Sequence, residues 1–413
     1  MELTVAELFA GVGGFRVGLN HIEEIDGNGR AIENGRWKFV WANQFEPSSK
    51  VQHAFECYTQ RFGINNHSNE DINKVKKSSI PQHSLLVGGF PCQDYSVARS
   101  LSNEQGIEGK KGVLFWDIKA VLLEKNTPFV LLENVDRLLK SPASKRGRDF
   151  AIMLKTFDEL EYDVQWRVIN AADYGMPQKR RRVFIFAYKR NLNFAATQNE
   201  KIDLSKNIFN EEFKATIKGD IKVINLKDYI DVLDISNNFS NGKFLDCGTM
   251  MNGVVNTADI TSCVEEVYKL SQIIKKARNQ SIDLTKYVVK EDSLEKWRYL
   301  KGSKRIERTT KDGHSYVYSE GSMSFPDNLD EPARTMLTSE GTVNRSSHII
   351  YDEEIKQYRI LTPIECELIQ MFPINWTNTM PEKKRYFMMG NALVTGIISR
   401  LEHRLREIIE QED

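Results

Sequence analysis

Short apolar runs alternate with longer amphipathic stretches over the first 190 residues. Six runs rich in β-branched and aromatic residues predict strands: LTVAELF, KFVWA, SLLVGG, PFVLLE, DVQWRVI and RVFIFAY. Patterns with helical spacing, such as SSKVQHAFECYTQRF and FAIMLKTFDEL, lie between most of them. This alternation predicts an α/β fold with a mostly parallel sheet and helices on both faces. In such folds, ligands bind at the carboxyl ends of the strands.

The alternation stops at about residue 191, and regular patterns return after residue 330. LTPIECELIQMF predicts a helix with Pro363 near its first turn, and TGIISRLEHRLREIIEQ predicts a helix whose apolar face packs back onto the first domain. We therefore predict that 1–190 and 331–413 form one domain. Residues 191–330 are expected to form a second, smaller domain of α+β or irregular structure.

Composition sets wide limits on the class of protein. The chain has 413 residues, 40% hydrophobic and 28% charged, which is typical of a globular protein long enough for two domains. Its formal charge of zero does not suggest a polyanionic partner. No apolar run approaches the roughly 20 residues of a membrane helix, and the start lacks a secretory pattern, so we expect a cytoplasmic protein. The five scattered cysteines suggest neither a zinc site nor a disulfide framework.

The ends of the first three predicted strands carry groups suited to a nucleotide-like ligand. The first strand runs into a glycine turn with GxGG spacing, which allows close approach of a ligand but does not specify a pyrophosphate. A glycine turn without a ligand is the alternative. The next two ends offer polar and aromatic contacts for a ribose and a base: Gln44, Phe45, Glu46 and Asp71. Helix capping is the alternative role for Glu46 and Asp71.

Three later positions carry candidate chemistry. Cys92, in VGGFPCQDYS, follows a strand and is either a nucleophile or a buried structural thiol. Glu133 ends the strand PFVLLE, where partial desolvation would raise its pKa and suit it to donate a proton; a solvated acid is the alternative. In QKRRR, alternate side chains of an extended segment share one face: Gln178, Arg180 and Arg182. These side chains could bind phosphate or carbonyl oxygens; the alternative is a face that is only solvated.

A local excess of positive charge breaks the overall neutrality. KWRYLKGSKRIERTTK, Lys296 to Lys311, has seven basic residues against the single Glu307, interleaved with Trp297 and Tyr299. This composition predicts a phosphate-binding patch, with a solvated basic face as the alternative.

The motifs FAGVGGF, DIN, GGFPCQDYS, GVLFWDI, LLENVDRLL, QKRRRVFIFA and MMGNALVTGI together resemble the ordered motif series of the DNA (cytosine-5) methyltransferases, of the bacterial restriction-modification type. The resemblance covers roughly residues 3–190 and 330–405. It implies a class I S-adenosylmethionine-dependent methyltransferase fold, no metal, and methyl transfer to carbon 5 of cytosine in double-stranded DNA. EPARTMLTSEG resembles the motif that borders the target-recognition domain, which would then be 191–330.

The resemblance implies a role for each candidate catalytic residue. Cys92 would add to carbon 6 of cytosine as the thiolate. Glu133 would protonate or hydrogen-bond N3 and the exocyclic amine, with Asn134 supporting its geometry. Arg182 would contact cytosine O2, and Arg180 a nearby phosphate.

The resemblance also implies the cofactor contacts. Phe15 would stack on adenine, and Asp71 and Ile72 would read its amino edge. Gln44 stands where the family usually has the glutamate that binds the ribose hydroxyls, so the ribose contact is left to Gln44 or to Glu46. Phe45 would be the second stacking aromatic, and the matching motifs add further cofactor-binding positions: Phe9, Gly11, Gly13, Gly14, Gly89, Pro91, Leu114, Asn391 and Ala392.

The last expectations concern how the protein binds and recognises DNA. The target nucleotide must be flipped out of the duplex, and the polar segment SVARSLSNEQGIEGKKG is expected to close over DNA. The residues expected to contact DNA are Ser96, Arg99, Gln178, Lys301, Lys304 and Arg305. We expect a monomer on DNA, with any cognate restriction endonuclease acting separately. The alternatives are a tRNA-directed member of the family, a non-catalytic DNA-binding paralogue and a nicotinamide-dependent oxidoreductase.

Overall fold

The computed structural model describes residues 1–90, 114–198, 204–280, 282–309 and 313–412. Ten strands within these ranges form one mixed sheet in the order β3-β2-β1-β4-β5-β7-β6-β9-β10-β8, and two further pairs, β11–β12 and β13–β14, stand apart from it. The strands are β1 Thr4–Leu8, β2 Lys38–Asn43, β3 His67–Ser68, β4 Leu85–Gly89, β5 Phe129–Val135, β6 Tyr162–Asn170, β7 Arg181–Lys189, β8 Ala215–Asn225, β9 Cys247–Met251, β10 Val254–Ser262, β11 Lys304–Thr309, β12 Ser315–Glu320, β13 Ile349–Asp352 and β14 Gln357–Ile360.

Helices cover both faces of the sheet and build the rest of the molecule. In chain order they are α1 Gly14–Leu19, α2 His53–Phe62, α3 Phe115–Lys125, α4 Arg148–Glu159, α5 Asn193–Gln198, α6 Ile208–Glu212, α7 Val232–Asn238, α8 Leu270–Arg278, α9 Glu291–Lys301, α10 Pro363–Ile369, α11 Glu382–Asn391 and α12 Thr395–Glu410. No helix among the described residues is long and apolar enough to cross a membrane.

The six strands predicted from the apolar runs are confirmed as β1, β2, β4, β5, β6 and β7. The predicted α/β class is also confirmed, but only β1 to β5 pair in parallel. β7 runs antiparallel to β5 and to β6, and the strands beyond β6 continue in antiparallel pairs. The sheet changes direction here because β6 connects to its neighbour β7 through a short turn instead of a crossover helix.

The hydrophobic core lies on both faces of the sheet because successive side chains of a buried strand point to opposite faces. In β5, Val130 and Leu132 pack into the cluster that contains α3 and α4. Phe129 and Leu131 pack into the cluster that contains α1 and α12. The central strands are therefore apolar on both sides, as expected for a sheet covered by two helical layers.

The two ends of the chain meet in one core cluster, as predicted. α12 buries Ile397, Ile398, Leu401, Leu405, Ile408 and Ile409 against the layer that holds α1. A Cβ atom at Gly18 would lie 2.5 Å from Cβ of Ile398, so α1 and α12 approach each other where α1 has no side chain. The predicted helix after residue 361 is confirmed as α10, with Pro363 in its first turn behind a capping box of Thr362 and Glu365.

Three strands of the segment 191–330, β8, β9 and β10, join the large sheet, and only β11 and β12 form a separate pair. β9 pairs with β6, and β10 and β8 follow it, so residues 215–262 extend the sheet that begins in the first 190 residues. The predicted boundary at residue 190 therefore does not coincide with an edge of the sheet. Past β10, the segment contributes α8 and α9 and the two-stranded β11–β12 hairpin.

Candidate active site

A cavity of about 970 Å³ opens where the parallel strands end. β1, β2, β4 and β5 run in parallel, so their carboxyl ends meet at one edge of the sheet. β7 runs the opposite way and pairs Arg182 with Val135, which brings the start of β7 to the same edge. The predicted residues that line the cavity are Phe9, Gly11, Gly14, Phe15, Gln44, Phe45, Glu46, Asp71, Ile72, Gly89, Leu114, Glu133, Asn134, Arg180, Arg182, Asn391 and Ala392.

Other predicted site residues lie elsewhere. Gly13 caps α1 in the left-handed region at φ 89°, and a Cβ there would meet the ring of Phe62 at 2.6 Å. It allows the turn and the helix packing, without lining the cavity. Four predicted positions, together with the segment expected to close over DNA, lie outside the described residues: Pro91, Cys92, Ser96 and Arg99.

One end of the cavity is shaped by the glycine turn after β1. Phe9 and Gly11 both have φ near 55°, a left-handed conformation that turns the backbone sharply toward α1. The N–H of Gly11 donates to Oε1 of Gln44 at 2.7 Å, which ties this turn to the end of β2. The amide oxygen of Gln44 is therefore engaged by the protein, while its NH₂ group remains available as a donor to a ligand.

Glu46 and Asp71 have different local roles. α2 begins only at His53, so Glu46 does not cap it; the side chain of Gln52 instead accepts from the N–H of Glu46 at 2.8 Å and donates to its carbonyl at 2.9 Å. Asp71 accepts from the N–H of Asn73 at 3.1 Å and so stabilises its own turn. The capping alternative is therefore wrong for Glu46, whereas the Asp71 side chain both orders a turn and lines the cavity.

The other end of the cavity holds an ion pair between Glu133 and Arg182. Nε of Arg182 lies 2.9 Å from Oε1 of Glu133, and the two side chains are 17% and 14% exposed. Burial raises the pKa of Glu133 above its usual value, and the charges of Arg182 and Arg180 oppose this only in part. Burial therefore favours the protonated form of this carboxyl group, while the neighbouring guanidinium groups favour its ionised form.

Two neighbours of Glu133 explain how it is positioned. A Cβ atom at Gly89 would come within 3.2 Å of Oε2 of Glu133, so the carboxylate occupies space that a side chain on β4 would take. Nδ2 of Asn134 donates to the carbonyl of Phe90 at 2.8 Å. This hydrogen bond ties the end of β5 to the chain that leads directly into Pro91 and Cys92.

Comparison with known proteins identifies the family to which this site belongs. The family model for the C-5 cytosine-specific DNA methylases matches residues 3–407. The chain belongs to that family. It is 49% identical over 414 residues to the type II methyltransferase M.Sau3AI of Staphylococcus aureus, covering 98% of this chain and 96% of that protein. It is also 32% identical over 199 residues to the type II methyltransferase M.HhaI of Haemophilus parahaemolyticus, covering 48% and 53%.

Solved structures agree on the fold of this DNA methylase. The Dnmt2 methyltransferase of S. pombe superimposes with a TM-score of 0.58 at 16% identity, covering 99% of each chain. The protein is thus a DNA (cytosine-5) methyltransferase with the fold of the S-adenosylmethionine-dependent enzymes. The oxidoreductase alternative is wrong. Among the described residues, no group of three or more histidine, cysteine or acidic side chains could hold a metal ion.

The structure corrects two of the three residues expected to share a face before β7. Arg180 is 2% exposed and donates to the carbonyls of Met336 and Gly390 at 3.1 and 3.0 Å, so it cannot reach a duplex phosphate. Gln178 is fully buried, and its Oε1 accepts from the N–H of Met336 at 3.1 Å, so it does not contact DNA. Both side chains fasten the start of β7 to the C-terminal part of the methylase. Arg180 lines the cavity with its hydrogen bonds made to backbone carbonyls, whereas Arg182 is paired with Glu133.

The basic segment of the methylase is also partly corrected. The side chain of Lys301 is 0% exposed, and its Nζ lies 2.9 Å from Oδ2 of Asp327, so Lys301 is a buried structural cation and not a phosphate contact. Nζ of Lys304 lies 3.5 Å from Glu320, which offsets its charge. Arg305 is exposed, and its predicted contact with DNA stays a prediction.

Several residues that line the cavity were not predicted: Asn43, Asn73, Phe372, Lys384, Phe387 and Met388. A signal for three of them was present in the sequence. Phe387 and Lys384 precede Asn391 by four and seven residues in α11, so they share its helix face. Asn73 follows Asp71 by two residues in the turn that Asp71 stabilises. Phe372 lies just after α10 and reaches the cavity only through tertiary packing, which no local pattern indicates.

A buried carboxyl group beneath the glycine turn was also missed. Glu7 in β1 is fully buried; one oxygen accepts from the hydroxyl of Tyr58 at 3.0 Å, and the other lacks a partner among the described residues. Burial raises the pKa of Glu7 to about 8, although the Tyr58 hydroxyl and the charge of Arg16 oppose the shift. Glu7 is therefore held largely protonated near neutral pH and supports the cofactor end of the cavity from below.

Proposed function

We propose that this methylase transfers the methyl group of S-adenosylmethionine to carbon 5 of a flipped-out cytosine in a short sequence of double-stranded DNA. The single observation that carries the proposal is the Glu133–Arg182 ion pair, which shares one cavity with the glycine turn and the aromatic side chains near it. A proton donor beside a cation suits the N3 and O2 edge of cytosine. The other end of the cavity suits an adenosine.

The donor set fits S-adenosylmethionine. Phe15 and Phe45 offer aromatic faces to adenine, and Asp71 and Ile72 offer an acceptor and an apolar wall beside it. The bond from Gly11 orients the Gln44 amide, and its NH₂ group, which has no partner among the described residues, would donate to the ribose hydroxyls. When bound, the cofactor supplies an electrophilic methyl group on a sulfonium.

The residues at the inner end would activate the cytosine ring. Carbon 5 is a poor nucleophile until a soft nucleophile adds at carbon 6, and the Cys92 thiolate is proposed for that addition. As N3 gains electron density, Glu133 would donate its proton there, and Arg182 would hold O2 through its remaining N–H groups. The Asn134 bond to Phe90 supports this proposal because it fixes the backbone two residues before Cys92.

The target base must leave the helix to reach this site. Glu133 and Arg182 are largely enclosed, so a base stacked in a duplex could not contact them. A second cleft of about 820 Å³ adjoins the first at Arg182. Its basic residues Lys179, Arg181 and Lys269 are each paired with an acidic side chain, so the cleft carries mixed charge. We propose that the duplex lies over this cleft while the flipped nucleotide enters the deeper cavity.

We further propose the biological setting from the likeness to M.Sau3AI, which is named as a type II methyltransferase. The protein would act as a monomer in the bacterial cytoplasm and protect DNA from a separately acting restriction endonuclease. Residues 191–330 would select the methylated sequence, while 1–190 and 331–413 would bind the cofactor and do the chemistry.

Expression in a host without DNA methylation, followed by bisulfite sequencing of its DNA, tests the proposal. We expect protected cytosines at one short sequence with the wild-type protein and none with Cys92→Ser, since an alcohol is far less nucleophilic than a thiolate. Retained DNA binding by Cys92→Ser serves as the control for folding. Unmethylated DNA together with modified cytosine in the host tRNA would contradict the proposal and support the tRNA-directed alternative.

A further inference from the structure

The β11–β12 hairpin is a two-stranded ribbon whose two faces differ. Its register pairs Lys304 with Glu320 and continues to Thr309 with Ser315, so alternate residues fall on opposite faces. We define the packed face as Lys304, Ile306, Arg308, Tyr316, Tyr318 and Glu320. The open face is Arg305, Glu307, Thr309, Ser315, Val317 and Ser319, all of which are exposed.

The packed face contacts the body of the protein at the base of the ribbon, and its charged groups have partners, whereas Ile306, Arg308 and Tyr316 are exposed like the open face. Nζ of Lys304 lies 3.5 Å from Glu320 and 4.8 Å from the ring centre of Tyr299 in α9. Arg345 also reaches Glu320, at 3.3 Å, and the guanidinium of Arg308 lies 3.9 Å over the ring of Tyr318. These contacts fix which side of the ribbon faces outward.

The open face carries hydrogen-bonding groups that the protein leaves unused. Its one described side-chain bond joins the hydroxyls of Thr309 and Ser315 at 3.2 Å. No ion pair with Arg305 or Glu307 occurs among the described residues. The open face thus presents to solvent a guanidinium, a carboxylate, several hydroxyls and the apolar Val317.

We propose that the open face enters the major groove of the substrate DNA and reads base edges, an inference that rests on the proposed function. The major groove, about 12 Å wide, admits a two-stranded ribbon. Arg305 and Glu307 are two residues apart on one strand, about 6.6 Å, which is close to two base steps of about 3.4 Å. An arginine can bind a guanine by two hydrogen bonds, and a glutamate can accept from the amino group of cytosine.

Glu307 distinguishes base reading from phosphate binding. A surface that only binds phosphates gains nothing from a carboxylate on the same face as its arginine, because the carboxylate repels the phosphate backbone. A carboxylate that accepts from an exocyclic amine contributes to the choice of sequence instead. Arg305 and Arg308 flank Glu307 in the sequence of this strand. The open face therefore carries mixed charge, which fits recognition of bases.

The base of the ribbon is linked to the catalytic end of the sheet. Lys301, just before β11, pairs with Asp327, whose other oxygen accepts from Nε of Arg334 at 2.5 Å. The neighbouring Ala333 exchanges backbone hydrogen bonds with the segment before β7: its N–H donates to Pro177 and its carbonyl accepts from Lys179. A base read by the ribbon is thus held in a defined position relative to Arg182.

A duplex library with randomised positions around a cytosine, incubated with S-adenosylmethionine and read by bisulfite sequencing, tests the proposal. We expect Arg305→Ala and Glu307→Gln each to relax the preference at one base pair. Each should lower kcat/KM on the preferred duplex by about tenfold or more. Arg308→Ala is the matched control, because it removes a guanidinium from the same strand but from the packed face, and it should keep the wild-type sequence.

Two further measurements distinguish failure of this proposal from failure of the proposed function. Unchanged sequence preference in both open-face variants would overturn the proposal, as would tighter binding of Glu307→Gln to every duplex, which would show a carboxylate that merely repels phosphate. Titration with S-adenosylhomocysteine confirms that each variant keeps its cofactor site. If the wild-type protein methylates no duplex in the library, the proposed function itself is wrong.

Discussion

An arginine stands beside a glutamate at two places in this methylase, and the two pairs are held differently. In the cavity, Arg182 and Glu133 come from neighbouring strands, lie 2.9 Å apart and are largely enclosed. On the β11–β12 ribbon, Arg305 and Glu307 come from one strand, are exposed and form no ion pair with each other. The same two residue types are rigid in one setting and available in the other.

The difference matches what each pair must do. The enclosed pair would act on a cytosine whatever the surrounding sequence, so a single fixed geometry serves every turnover. Burial also shifts the pKa of Glu133, which solvent would prevent at an exposed site. The exposed pair has to exchange water for base edges, and its side chains gain from having no partner of their own.

Replacing the two glutamates by glutamine should separate chemistry from recognition. Glu133→Gln removes the proposed proton donor and should lower kcat by about 100-fold or more, which is the usual scale for loss of a general acid. Glu307→Gln should leave kcat on saturating preferred duplex within a few-fold of wild type. Single-turnover methylation of one duplex measures both, with calorimetric titration of S-adenosylhomocysteine as the control. Equal losses of kcat would remove the distinction between the two sites.

Replacing two neighbouring cations of the basic segment should separate buried from exposed charge. Lys301→Met leaves Asp327 with one cation fewer in a buried site and should lower the free energy of unfolding by about 3 kcal/mol. Arg305→Met, at an exposed position, should change it by less than about 0.5 kcal/mol. Urea denaturation of both variants gives the comparison. A similar stability for the two would show that the Lys301–Asp327 pair is not a structural link.

Glu7 is a buried carboxyl group with no charged side chain in direct contact, so it adds a third case to the comparison. The unfolded chain releases this proton near pH 4.5, whereas the folded protein holds it until about pH 8. The free energy of unfolding should therefore fall as pH rises across this window, by roughly 5 kcal/mol, and level off above it. Glu7→Gln should flatten the dependence. Exposed Glu24→Gln is the control; an unaltered profile in Glu7→Gln would assign the dependence to other groups.

The smallest effect is expected at Gln44, where the resemblance in the sequence implies a glutamate in most relatives. In Gln44→Glu, one carboxylate oxygen could keep the bond from Gly11 while the other accepts from a ribose hydroxyl with the help of its charge. We expect S-adenosylmethionine to bind more tightly by up to about 1 kcal/mol. Calorimetry of this variant and of Glu46→Ala separates the two candidates. Weaker binding only in Glu46→Ala would transfer the ribose contact to that residue.

The cavity was largely predictable because chain order and strand direction decide it. Parallel strands must end at the same edge of the sheet, so residues that directly follow β1, β2, β4 and β5 meet there without any knowledge of packing. Burial of single charges was not predictable. Lys301 and Arg305 are cations in the same basic stretch of sequence, but tertiary contacts bury only Lys301. Arg180 and Arg182 are two residues apart in an extended segment, but tertiary contacts bury only Arg180.

The antiparallel half of the sheet was missed for a similar reason. β8, β9 and β10 join the sheet at β6 through pairings far apart in the chain, and no local pattern states which strand is a neighbour. The same holds for Phe372, which reaches the cavity from beyond α10. Local periodicity indicates that a strand or helix exists, whereas its partners depend on the whole chain.

The way the ribbon is closed bears on how such enzymes change their target. The N–H of Met323 donates to the carbonyl of Lys301 at 2.8 Å, so the chain leaves and re-enters the body of the protein at adjacent points. If the ribbon reads bases as proposed, a different hairpin between these two residues would start and end at the same points of the backbone, provided that it keeps the contacts of Lys304 and Glu320. A lineage could thus acquire a new methylation signature through one short graft while inheriting its catalytic core intact.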